Sequence, residues 1–122
     1  MENKAYGYYK EGYNCSACIL KAAEDYFKMP IDEQCYSLCS GVNMGMGVGS
    51  TCSALVAAVM VFGLMFDKET VKRLRIKLFS DFSENHKDLS CPRLAKGPGC
   101  GGLIKEVAAL AKAIIEEELR WG

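Results

Sequence analysis

The stretch Ala54-Leu55-Val56-Ala57-Ala58-Val59-Met60-Val61-Phe62-Gly63-Leu64-Met65-Phe66 decides the fold. It carries no charge and no strongly polar side chain. It is too short for the ~20 residues of a membrane span, and the uncharged residues before it, from Gln34, are Gly-rich and polar. A buried helix at the centre of a small protein is the reading that remains. Ser50 and Thr51 read as its caps, so the helix is expected over 52–66.

Working outward, Asp67 caps a second helix that runs to about Asn85. Its apolar stripe is Val71, Leu74, Leu78, Phe79 and Phe82, with Lys68, Lys72, Arg73 and Lys77 on the other faces. Leu103, Ile104, Val107, Leu110, Ala111, Ile114, Ile115 and Leu119 then recur on one face at the helical period, which predicts a helix over 103–121. On the N-terminal side, helix formers fill residues 3–28, interrupted at Gly12-Tyr13-Asn14. Asn14 is a good N-cap, so a new helix is expected from Cys15, ended by Pro30. Asp32 caps a short helix to about Ser40. Residues 41–49 and 89–102 read as Gly-rich loops. With no strand pattern, the fold is expected to be all-α. One domain spans 1–122, a compact bundle of about five helices around the apolar helix near 52–66.

Composition excludes several functions. The chain has 122 residues, with 15 basic residues balanced by 15 acidic ones. That balance argues against a nucleic-acid binder, which needs a basic face. The start, Met1-Glu2-Asn3-Lys4-Ala5-Tyr6, lacks the apolar core of a secretory signal, so a cytoplasmic location is expected. In a reducing compartment, cysteines bind metals or do redox chemistry more often than they form structural disulfides. There are 7 Cys and a single His, His86. An odd count rules out full pairing within one chain.

Four of the cysteines fall at predicted helix boundaries. Cys15 and Cys52 sit in first turns, and Cys100 in the Gly-rich approach to the last helix. There the helix dipole and open N–H groups favour a thiolate. Cys91 precedes Pro92 in a loop with Arg93 and Lys96. Each taken singly also reads as a small buried hydrophobe. A second pattern competes for Cys15. Cys15 and Cys18, with Cys35 and Cys39, approach the spacing of a four-cysteine zinc site.

The order Gly12-Tyr13-Asn14-Cys15, then a Gly/Met-rich loop into Cys52-Ser53-Ala54-Leu55-Val56-Ala57, then Cys91 and Cys100, resembles the C_GCAxxG_C_C family of small bacterial and archaeal redox-active proteins. The family's four cysteines fall on Cys15, Cys52, Cys91 and Cys100. Ser53 and Ala57 stand where that family has glycines. The resemblance implies an oxidoreductase or electron-transfer role, with these four as redox-active thiols or as metal ligands to an iron–sulfur cluster. Gly45, Gly47 and Gly49 would then supply backbone N–H groups to the cofactor. The electron donor or acceptor is unknown.

Two alternatives stay open: a structural zinc protein on Cys15, Cys18, Cys35 and Cys39, and a binding module with no chemistry. In the last, the Gly/Met loop with Tyr6, Tyr8, Tyr9 and Tyr13 forms a ligand pocket or dimer face, although packing of a helix pair explains the tyrosines as well. So apolar a central helix also fits a homodimer, with Trp121 and the last helix as its contact. His86 reads as a C-terminal cap.

Overall fold

The computed structural model describes residues 1–44, 52–86 and 101–121. Six helices make up this part: α1 (Glu2–Lys10), α2 (Cys15–Phe27), α3 (Glu33–Met44), α4 (Ser53–Met65), α5 (Lys68–Asn85) and α6 (Gly101–Trp121). Among the described residues there is no strand.

The turn between α1 and α2 follows from three side chains. Gly12 adopts φ +102°, a conformation that costs a residue with a Cβ dearly. Asn14 is extended, and its Oδ1 accepts from the Ala17 N–H at 2.9 Å. Cys15 is therefore the first residue of a capped helix.

The end of α2 differs from expectation. Lys28, not Pro30, ends it, in the left-handed conformation (φ 53°, ψ 44°). The Met29 N–H reaches back to the Glu24 carbonyl at 3.1 Å, closing the last turn. Pro30 comes after the helix has already ended.

Asp32 caps α3, accepting from Gln34 N–H at 2.8 Å. The helix runs on to Met44, into a segment read as loop. Gly101 and Gly102, also read as loop, form the first turn of α6. Asp67 caps α5 as expected, accepting from Thr70 N–H at 2.9 Å.

The core forms where α2 and α4 cross, with α1, α5 and α6 closing around them. From α4 it takes Ala54, Leu55, Ala57, Ala58, Val61 and Phe62. Leu55 and Phe62 are fully buried, each stabilising the fold by about 1.5–3 kcal/mol. The helix is not enclosed all round: Gly63 and Leu64 lie exposed, Leu64 at 48 %. The stripe of α5 buries Leu74, Leu78 and Phe82. On α6 burial reaches Ile114 and Ile115 and stops there. Leu119, expected on the packed face, is 58 % exposed, and Trp121 beyond it is 79 % exposed. None of the described helices is long and apolar enough to cross a membrane.

Candidate functional site

Two of the four boundary cysteines lie in the described part, and both stand at the N-terminus of a helix. Cys15 is the first residue of α2, half-buried and packed on the core. Cys52 is the N-cap of α4 and is buried; its carbonyl accepts from the Leu55 and Val56 N–H groups at 3.1 and 3.2 Å. These two helices pack against each other at the centre of the molecule. A helix start presents open N–H groups and the positive end of the dipole, which favour a thiolate. Cys91, Cys100, Gly45, Gly47 and Gly49 lie outside the described residues.

Each of the two cysteines is followed by a buried serine, Ser16 or Ser53. The Ser16 hydroxyl donates to Asn14 Oδ1 at 2.9 Å and faces the Cys39 carbonyl at 3.4 Å. One side-chain oxygen of Asn14 thus fixes both the cap and the residue after Cys15. Ser53 and Ala57 lie within α4, and the only described non-glycine residue with positive φ is Lys28. Replacing glycine at 53 and 57 therefore brings no backbone strain. Both sites are buried, so small volume is what the position demands.

Two further cysteines are held by local backbone carbonyls. Cys18 is buried in α2, its Sγ donating to the Tyr13 carbonyl at 3.5 Å, and burial pushes its thiol up to about 11. Cys39 is buried in α3, its Sγ donating to the Cys35 carbonyl at 3.5 Å; burial raises it too, against a smaller opposing effect from the Ser16 hydroxyl. Burial thus disfavours the thiolate at both. Among the described residues no three His, Cys, Asp or Glu side chains gather in a metal-holding arrangement. Cys15, Cys18, Cys35 and Cys39, the cysteines of the zinc pattern, form no such arrangement in this structure. The spacing placed them on two helices, but the packing spends Cys18 and Cys39 on local backbone carbonyls.

Beside Cys15, the α1–α2 turn and α3 enclose an open groove of about 760 Å³, lined by residues that include Tyr13, Asn14, Lys21, Glu24 and Tyr36. The sequence points to Tyr13 there but not to Lys21. Its ammonium lies over three rings, 4.5 Å from the Tyr36 centroid, 5.2 Å from Tyr13 and 6.0 Å from Tyr8. Helical spacing would pair Lys21 with Glu24 or Asp25. Tyrosine hydroxyls take those carboxylates instead: Tyr8 donates to Asp25 and Tyr36 to Glu24. Glu24 also accepts from the Ile31 N–H at 2.7 Å, which ties α2 to the start of α3. Hydrogen bonding to Asp25 and burial raise the Tyr8 hydroxyl to about 12. Tyr6 and Tyr9 stack on each other and pack against Gly101. These tyrosines mainly join helices, as the packing reading has it. His86 caps the C-terminus of α5, stacks on Phe82 and bonds Glu106 through Nε2 at 2.8 Å.

Residues 13–114 match the family model described as "Putative redox-active protein (C_GCAxxG_C_C)". No curated protein and no solved structure matches the chain.

Proposed function

The chain belongs to the C_GCAxxG_C_C redox-active family, and we propose that its working groups are the thiolates of Cys15, Cys52, Cys91 and Cys100. They act as a set, either as exchanging dithiols or as ligands to an iron–sulfur cluster. The observation that carries this reading is the placement of Cys15 and Cys52 at the N-termini of two helices packed on each other. That placement favours the anionic sulfur both chemistries require. Cys18 and Cys39 differ in place: they lie within helices, donate to local carbonyls, and burial raises both thiols.

The donor set fits a cluster in its chemistry. Four thiolates from separated positions suit a [2Fe–2S] or [4Fe–4S] centre. When bound, such a cluster would supply one-electron transfer. The chain's own part is to hold Cys15 through the Asn14 cap and to seat Cys52 at the start of α4. The groove beside Cys15 gives a partner or substrate an approach to that end of α2.

The test is iron, zinc and acid-labile sulfide per chain on protein purified without oxygen, repeated for Cys15→Ser and Cys52→Ser. Iron matched by sulfide, and lost in both variants, supports the cluster form. Metal-free protein in which Cys15 and Cys52 oxidise reversibly supports the dithiol form. One zinc that survives Cys52→Ser overturns the proposal.

A further inference from the structure

The chain is neutral overall, yet its charge is segregated. Between residues 68 and 77 of α5 lie Lys68, Lys72, Arg73, Arg75 and Lys77, all exposed, against the single acidic residue Glu69. A solvated helix face ordinarily interleaves both signs.

Lys68, Lys72 and Arg75 recur at helical spacing and so share one side of α5. With Gly63, Phe66 and Val71 they line a hollow of about 300 Å³ at the corner between α4 and α5. Among the described residues no carboxylate lines that hollow. Lys72 has a partner in Glu69 at 3.6 Å, but both are well exposed, and such a pair holds weakly. Arg73 and Lys77 are turned to Glu118 and Asp81. Lys68 and Arg75 have no ion pair among the described residues. Two apolar residues next in sequence to lining residues are exposed, Leu64 at 48 % and Ile76 at 67 %.

We propose that this corner is a docking surface for an acidic protein segment: carboxylates of the partner meet Lys68, Lys72 and Arg75, and one apolar side chain sits over Gly63, Phe66 and Val71. Charge complementarity selects the partner's sign, and the apolar floor selects a protein over a bare polyanion. The exposed apolar residues are too few for a membrane-bound helix, which lays a continuous apolar face into lipid. The corner lies at the far end of α4 from Cys52, about 20 Å away along a helix of this length, so a docked partner leaves the Cys52 end open. The inference does not depend on what the cysteines do.

The test uses the full, reduced chain, labelled for NMR, and a short peptide of alternating Asp and Glu with one central Phe. The expected result is amide shifts centred on Gly63, Lys68, Lys72 and Arg75. Affinity should fall about tenfold in the double variant Lys68→Glu/Arg75→Glu and stay unchanged in the control Lys4→Glu. It should also fall when Phe is replaced by Ser in the peptide. It should weaken again as salt rises from about 10 mM to about 150 mM, where screening shortens from about 30 Å to about 8 Å. Shifts centred elsewhere, or equal binding by the double variant, would overturn the proposal. So would equal or tighter binding at the same residues by heparin or by anionic lipid vesicles. The substituted side chains are exposed, and circular dichroism checks that both variants remain folded.

Discussion

Replacing Asn14 by Ala should both destabilise the protein and slow the chemistry of Cys15. Asn14 Oδ1 accepts from the Ala17 N–H and from the Ser16 hydroxyl, each at 2.9 Å. Loss of an N-cap side chain costs about 1 kcal/mol. The buried Ser16 hydroxyl is left with the Cys39 carbonyl at 3.4 Å, and loss of its better acceptor costs about 0.5–1.5 kcal/mol more. The sum, about 2 kcal/mol, corresponds to a fall of about 8 °C in Tm for a domain of this size. The first turn of α2 then frays, and with it goes part of a dipole interaction of about 0.3–1 kcal/mol at the Cys15 thiolate. At 1.36 kcal/mol per pKa unit, this slows alkylation of Cys15 near neutral pH by about two- to fivefold. Asn14→Asp separates the two effects. It keeps an acceptor for both hydrogen bonds, so stability should stay within about 0.5 kcal/mol of the parent, Asp being as good a cap as Asn. It also sets a carboxylate beside Cys15 and should slow alkylation all the same. Urea unfolding and iodoacetamide kinetics, resolved by residue, measure both. The reasoning is refuted if Asn14→Ala unfolds no earlier than the parent, or if the Asp variant loses as much stability as the Ala variant.

Gly101→Ala would place a Cβ 2.6 Å from Tyr6 Cε1, so the Tyr6 ring must move off α6. The expected loss is about 1–3 kcal/mol by thermal unfolding, largely recovered in a Tyr6→Ala background. The Cys18 thiol is raised to about 11 by burial, so folding binds its proton more tightly than the unfolded chain does. Its contribution should be complete below pH 9 and be lost as pH rises towards 11. A urea series across that range should show the loss in the parent and a smaller one in Cys18→Ala. The Asp67 carboxyl is lowered from 3.8 by its hydrogen bonds to Thr70. Its cap should therefore hold above about pH 4 and fail as pH falls further, and Asp67→Asn should flatten that part of the stability profile.

Much of the architecture was legible because single residues carried single physical roles. Gly12-Tyr13-Asn14 marks a turn, since glycine takes the positive φ and asparagine the cap. Asp32 and Asp67 cap the helices they precede, and the α5 stripe buries as its period predicts. Lys28 was not legible, because the left-handed conformation is costly for lysine and nothing in its neighbours demands it. Periodicity also carried the α6 face on to Leu119, whereas burial ends at Ile115 as the helix continues into solvent.

At the site, the helix start at Cys15 follows from Asn14, whereas Ser50 and Thr51 were read as caps of the central helix and its N-cap is Cys52 itself. The Lys21 cage does not follow from local sequence. It depends on Tyr8 and Tyr36, remote in sequence, taking the carboxylates that Lys21 would otherwise pair with. The zinc pattern meets a related limit. Spacing can place thiols on neighbouring helices, but it does not show that backbone carbonyls will hold Cys18 and Cys39 instead.

The most direct measurement is residue-resolved alkylation of all seven cysteines, by mass spectrometry, on protein purified without oxygen and then stepped through a graded thiol–disulfide series. The account predicts that Cys15, Cys52, Cys91 and Cys100 change accessibility together at one potential, while Cys18 and Cys39 stay reduced and protected until the chain unfolds. If Cys15 and Cys52 change independently of each other, or if Cys18 and Cys39 respond first, the central claim is contradicted.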